Sequence, residues 1–177
     1  MPRHIVLVGL PGSGKSTVGR LVAEALGTSV IDVDGLLVRE MGMPISQIFG
    51  MLGEPKFREM ERTAVSAAQA REPCVIVPGG GWAAQPGQME EARQSCLVVY
   101  LKCQAATAAK RSEQGEARPL LAGPDPGQKM RALLDEREPF YRLAQHEVNA
   151  QSASAEAIAT EIMTLARRHG GWFARPS

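Results

Sequence analysis

Four uninterrupted apolar residues, Ile5-Val6-Leu7-Val8, open the chain, and such a run predicts a strand buried on both faces over about 4 to 9. The pattern then changes period: Val18, Leu21, Val22, Ala25 and Leu26 recur at helical spacing, predicting a helix over about 15 to 26 that stops at Gly27. Ser29 to Asp34 reads as a short strand, and about 35 to 53 as short helical pieces punctuated by Gly42, Pro44, Gly50 and Gly53. Phe57, Met60, Ala64 and Ala67 mark a longer helix over about 54 to 71, closed by Pro73. Cys74 to Val77 is the next buried strand, about 88 to 93 a short helix, Cys96 to Leu101 a fourth strand, and about 105 to 111 a helix ending in basic residues. From about 112 to 127 the breakers Gly115, Pro119, Gly123, Pro124, Pro126 and Gly127 predict a long loop. A helix over about 128 to 143, a weak strand at 146 to 149, a helix carrying Ala155, Ile158, Ile162 and Leu165, and a loose tail over about 169 to 177 complete the chain. Strands alternating with helices indicate an α/β fold on a parallel sheet.

Composition narrows the classes without changing that architecture. The 177 residues suit a single domain, and 44 % hydrophobic content supplies its core. Twenty basic against nineteen acidic residues leave a formal charge of +1, which argues against nucleic acid or an anionic membrane as a general partner. Cys74, Cys96 and Cys103 are odd in number, and two lie in or beside apolar runs, so they read as buried thiols rather than a disulfide framework or zinc site. No apolar stretch approaches the ~20 residues of a membrane span. A cytoplasmic monomer is the expectation.

The chemistry begins at Gly9-Leu10-Pro11-Gly12-Ser13-Gly14-Lys15-Ser16-Thr17. Between a strand and a helix this is a phosphate-binding loop: the N–H groups of Gly12 to Thr17 close around phosphate oxygens, Lys15 reaches the outer phosphates, and Ser16 can ligate Mg²⁺. The predicted ligand is a nucleoside triphosphate. Asp32 and Asp34 follow two apart on an extended segment, where they either face that loop or cap the next helix. Arg58 and Glu61 are either a surface ion pair or a guanidinium held in a cleft for a carboxylate ligand. Gly79-Gly80-Gly81, after a strand, is either a tight turn or a place where a ligand meets backbone. The 112 to 127 loop is either a disordered insert or a lid, and Leu120-Leu121 favour docking. On the helix carrying Met130, Leu133, Leu134 and Tyr141, Arg137 falls on the apolar stripe and needs an acid or an anion unless it snorkels; Pro139 should kink the helix there. His4 and His169 receive no functional reading.

Together these segments resemble the shikimate kinase family from Gly9 to about Val148, through the loop at 9 to 17, Asp32-x-Asp34, Gly53-Glu54-x-x-Phe57-Arg58-x-x-Glu61, the triple glycine, Arg118-Pro119-Leu120-Leu121 and Arg137-x-Pro139-x-Tyr141. The resemblance implies a P-loop NTPase, three-layer α/β/α, with a five-stranded parallel sheet of order 2-3-1-4-5, an acceptor-binding segment over about 33 to 61 and a lid over about 112 to 127. It also implies transfer of the γ-phosphoryl of ATP, with Mg²⁺, to the 3-hydroxyl of shikimate. Under it Asp34 holds the acceptor hydroxyls, Arg58 and Arg137 the carboxylate, Gly79, Gly80 and Gly81 the ring, Arg118 the phosphates, and Asp32 helps hold Mg²⁺ through water. Pro78 and Trp82 depart from the family's picture, and Trp82 is expected to reshape the acceptor edge. Residues 151 to 154 lack a basic residue near the adenine, a role Arg111 can share. The competing readings are a kinase for another hydroxylated acid such as gluconate, against which Arg58 and Arg137 with Asp34 favour the cyclic hydroxy-acid, a nucleoside-monophosphate kinase, which leaves Asp34, Arg58 and the triple glycine unexplained, and a silent nucleotide-binding protein, which is expected to have lost Lys15, Asp34 or Arg118.

Overall fold

The computed structural model describes residues 1–114 and 119–173. Its elements are β1 (Ile5–Val8), α1 (Lys15–Leu26), β2 (Val30–Asp32), α2 (Val33–Met41), α3 (Ile45–Gln69), β3 (Val75–Val77), α4 (Gln88–Ser95), β4 (Leu97–Lys102), α5 (Ala105–Ser112), a 3₁₀ turn at Pro119–Leu121, α6 (Pro126–Tyr141), β5 (His146–Asn149) and α7 (Ala155–His169). All strand pairs are parallel, in the order β2-β3-β1-β4-β5, as expected. Central β1 pairs Ile5 with Val75 on one side and with Leu97 on the other. Because the chain runs from β1 out to β2, back to β3 on one flank of β1 and then across to β4 on the other, the strand order reverses beside β1, and the C-terminal end of such a switch point is where α/β sheets hold ligands. Strands β1 and β3 and all of β4 but its last residue are buried, in keeping with their unbroken apolar sequences.

Several boundaries differ from the expectation. Strand β2 stops at Asp32, whose side chain accepts from the Gly35 N–H and so caps α2; Asp34 lies in the first helical turn, not on an extended chain. The boundary expected at Gly53 is present: Ile45–Gln69 is two helices that meet in a kink at Gly53, where φ is 79°, a value that glycine adopts without the steric penalty of a Cβ. Helix α6 ends at Tyr141, two residues before the expected end, with Pro139 in its last turn. In the described part of the tail Phe173 is exposed, whereas Trp172 is buried, its Nε1–H donates to the Arg3 carbonyl at 2.8 Å, and the Arg3 N–H donates to the Gly170 carbonyl. An indole gains from burial once its N–H has an acceptor, here the Arg3 carbonyl just before β1. The three cysteines are buried free thiols. No described helix is long and apolar enough to cross a membrane.

Candidate active site

The turn after β1 carries the phosphate half. Gly12 has φ 80°, and a Cβ there would fall 2.3 Å from the Ala108 carbonyl oxygen of α5, so only glycine lets the loop lie this close to that helix. Helix α1 starts after Gly14 with no side-chain cap, which leaves its first-turn N–H groups and positive dipole end to an anion. Lys15 is buried, and its ammonium donates to the carbonyls of Gly9 at 2.8 Å and Leu10 at 2.7 Å, folding it over the loop. The Ser13 N–H is engaged with the Leu10 carbonyl at 3.1 Å and its side chain is buried, so Ser13 shapes the loop from within. Gly12, Gly14, Lys15, Ser16 and Thr17 share one cleft with Asp32, Asp34, Val77, Pro78, Gly79 and Gly80. Ser16 and Asp32 thus bring a hydroxyl and a carboxylate to the same cleft, a hard-oxygen donor set suited to Mg²⁺ with water and phosphate as the remaining ligands.

The acceptor half is assembled from α2, α3, the turn after β3, and α6. Its cleft is lined by Asp34, Arg58, Glu61, Gly79, Gly80, Gly81 and Arg137, with Ile45, Phe49, Phe57, Leu120, Leu121 and Leu133 as apolar walls. Arg58 and Glu61 are not a surface ion pair: Glu61 is wholly inside, and Arg58 Nη1 donates to its Oε1 at 3.2 Å while Nη2 reaches Glu54 at 3.4 Å. Burial pushes the Glu61 carboxyl up to about 7, against the pull of Arg58 and with a smaller push from Asp34. Arg137 does not snorkel; it is 5 % exposed and lines the same cleft. Beside it Tyr141 is buried, which raises its phenol to about 12, so it remains a donor and holds the Gly80 carbonyl at 2.6 Å.

The triple glycine is a matter of room. A Cβ on Gly79 would lie 2.1 Å from Glu61 Oε2, one on Gly80 would meet Pro11 at 2.9 Å and Arg137 Nη1 at 3.1 Å, and one on Gly81 would sit 2.5 Å from the Arg58 guanidinium. Each glycine makes way for a different charged group. The backbone here is a floor across which Glu61, Arg137 and Arg58 converge.

Asp34, Gly79 and Gly80 belong to both clefts, so the phosphate and acceptor halves meet at those residues. Two other grooves, about 410 Å³ between α2 and α3 and about 670 Å³ beside β5, contain none of the loop residues. The model of the shikimate kinase family matches residues 11–167.

The chain belongs to the shikimate kinase family.

A shikimate kinase of Mycobacterium avium is 47 % identical over 144 residues, covering 81 % of each chain. One of Moorella thermoacetica is 40 % identical over 162 residues, 92 % of this chain and 93 % of that one. The solved shikimate kinase of Acinetobacter baumannii, in complex with shikimate, superposes with a TM-score of 0.89 at 35 % identity over 95 % of this chain and 94 % of that chain. As a shikimate kinase family member the protein is an ATP-dependent phosphotransferase of the P-loop class, using Mg²⁺.

Against that identity, three expectations need correction or placement. Trp82 does not edge the acceptor cleft: its ring is 1 % exposed, and its Nε1–H donates to Gln88 at 3.1 Å, because a large indole gains more from the core than from a polar pocket. Arg111 spends Nη1 and Nη2 on the carbonyls of Ala150 and Gln151, at 3.0 and 3.2 Å, tying α5 to the segment after β5. Arg118 lies outside the described residues, although the adjoining Leu120 and Leu121 do dock on the acceptor cleft. Sequence reasoning missed Gln85, which is buried against Glu61; a lone glutamine between an alanine and a proline carries no signal of burial.

Proposed function

We propose that the two clefts work as one phosphotransfer site in which Asp34 receives the acceptor hydroxyl, Arg58 and Arg137 grip its carboxylate, and Lys15 with the loop N–H groups stabilises the moving phosphoryl. The observation that carries this division is the convergence of Arg58 and Arg137 over the triple-glycine floor, with Asp34 at the junction with the phosphate loop. The reaction is transfer of the γ-phosphoryl of ATP to the 3-hydroxyl of shikimate, giving shikimate 3-phosphate and ADP.

In such a transfer the protein positions attacking and leaving oxygens in line and neutralises the charge that spreads over the phosphoryl oxygens. Asp34 orients the hydroxyl and accepts its proton as the new P–O bond forms and the bond to the ADP oxygen breaks. Lys15 moves from the Gly9 and Leu10 carbonyls toward the phosphate oxygens, while Gly12, Gly14, Ser16 and Thr17 hold the phosphates through their N–H groups. Ser16 and, by way of water, Asp32 would hold Mg²⁺, which would supply positive charge to the phosphates. Arg58 and Arg137 offer planar, charge-assisted recognition of the carboxylate, and the Gly79–Gly81 backbone supports the ring. Arg118 is assigned to the phosphates in the closed lid, and Arg111, with its N–H groups committed to the protein, meets the nucleotide base through its plane. Residues 112 to 127 act as the lid that excludes water, and about 33 to 61 as the acceptor segment, within one domain and a cytoplasmic monomer that engages neither nucleic acid nor membrane.

ADP release from Mg²⁺-ATP tests this directly, with shikimate, gluconate and a nucleoside monophosphate as alternative acceptors. Strong stimulation by shikimate alone is expected. Equal stimulation by the nucleoside monophosphate, which has no carboxylate, would remove the two-arginine reading of the acceptor cleft, and equal stimulation by gluconate, itself a carboxylate, would remove its selectivity for the cyclic acid.

A further inference from the structure

The turn that follows the triple glycine is built unusually firmly for a surface connection. The Trp82 N–H donates to the Gly79 carbonyl at 3.1 Å, the Gln85 N–H to the Trp82 carbonyl at 3.1 Å, and the Gln88 N–H to the Gln85 carbonyl at 3.3 Å. The buried Trp82 ring and its bond to Gln88 lock these successive turns to α4. Their effect is to plant Gln85, itself buried, directly behind Glu61. Gln85 Nε2–H donates to Glu61 Oε1 at 2.9 Å, and Gln85 Oε1 accepts from Arg62 Nη1. Arg62 can only donate, so it fixes which end of the amide faces Glu61.

Glu61 Oε1 therefore has two donors, Arg58 and Gln85, whereas Oε2 is buried with no hydrogen-bond partner among the described residues. If Arg58 turns part of its fork to an incoming carboxylate, Gln85 is the donor that still holds Glu61. We propose that Gln85 is a positioning residue for acceptor recognition: clamped by Arg62 and by the Trp82 turn, it anchors Glu61 so that Arg58 stays aimed at the acceptor carboxylate. This rests on the reading of Arg58 as a carboxylate grip. It also gives Trp82 a consequence at the site without contact with the acceptor.

The groups facing Glu61 are Arg58 on its own helix, Asp34 from α2, and Arg137 and Tyr141 from α6; Arg62 reaches it through Gln85. The Gln85 N–H bonds to the charged carboxylate and so opposes its protonation. Removing that donor makes Glu61 hold its proton to higher pH, where Arg58 loses its anchor.

The test is steady-state kinetics of Gln85→Met, which keeps the volume and loses the hydrogen bonds, across pH 6 to 9. KM for shikimate should rise ~3- to 10-fold near pH 7 while kcat and KM for ATP stay within about twofold. The acid limb of kcat/KM for shikimate should move to higher pH, and the deficit should shrink by pH 9. Gln85→Glu, which keeps the Arg62 bond but sets a second carboxylate against Glu61, should raise KM for shikimate further, and it carries the same test if the Met variant does not fold. An unchanged KM for shikimate at every pH, or a parallel loss in kcat and both KM values, would overturn the proposal. Arg58→Ala is measured alongside: if it raises KM for shikimate while the Gln85 variants do not, only the Gln85 assignment fails, and if none of them does, the Arg58 reading fails with it.

Discussion

The two halves of the site are built in opposite ways. The phosphate half is local, a strand, a glycine turn and a helix contiguous in the chain, and its working groups are largely backbone N–H donors. The acceptor half draws Asp34, Arg58, Glu61, Gly79 to Gly81 and Arg137 from segments about a hundred residues apart, and its working groups are charged side chains that must be kept apart and aimed. A backbone cradle needs the right dihedrals. A side-chain cradle needs space and partners, which is why its three glycines are defined by what presses on them rather than by a positive φ.

The sharpest way to break this comparison is at the residue the halves share. Asp34→Asn should lower kcat about 10²- to 10⁴-fold, while nucleotide affinity, followed by titration with ADP, stays within a few-fold. Turnover near that of the unaltered protein would place the proton acceptor elsewhere.

A smaller effect is expected from crowding the acceptor floor. In Gly81→Ala the new methyl would press on the Arg58 guanidinium, so kcat/KM for shikimate should drop on the order of tenfold, about 1.4 kcal/mol, with KM for ATP little changed. If both substrates suffered equally, the floor would serve the whole fold and not the acceptor half.

How much of each half could be read beforehand follows the same division. The loop at 9 to 17 was legible because its chemistry is contiguous, and the sheet order came with the family resemblance. Asp34 reached the predicted cleft for a different reason than alternation along a strand, since the chain had already turned into α2. Arg137 was visible as a charge on an apolar stripe, but Gln85 was not, because its burial depends on Trp82 folding inward and on Glu61 lying across a bare glycine. Trp82 was expected at the acceptor edge as a departure from the family's picture, and Trp172 in a loose tail because it is near the end of the chain, whereas each indole found a buried seat and an acceptor for its N–H.

Glu61 offers a third contrast, this time in stability. Its carboxyl is raised from 4.5 to about 7, so its contribution to stability is complete below pH 4.5 and lost as pH rises through 7. Relative to Glu61→Gln, the unaltered protein should therefore lose stability on the order of 2 to 4 kcal/mol between pH 4.5 and pH 8. Denaturant unfolding of both proteins at pH 5 and pH 8 measures the difference. Parallel changes in the two would mean that Arg58 neutralises Glu61 fully. The phosphate half has no such buried carboxyl among the described residues and should not contribute.

The central claim is that the acceptor half recognises a carboxylate through Arg58 and Arg137 while the phosphate half works independently of it. The most direct measurement is kcat/KM for shikimate and for its carboxamide analogue, on the unaltered protein and on Arg137→Ala. The account predicts that the carboxamide loses about 10- to 100-fold on the unaltered protein, that Arg137→Ala loses a similar factor with shikimate, and that the two losses together fall well short of their product. Full multiplication of the two losses, or equal use of both acceptors by the unaltered protein, would contradict it.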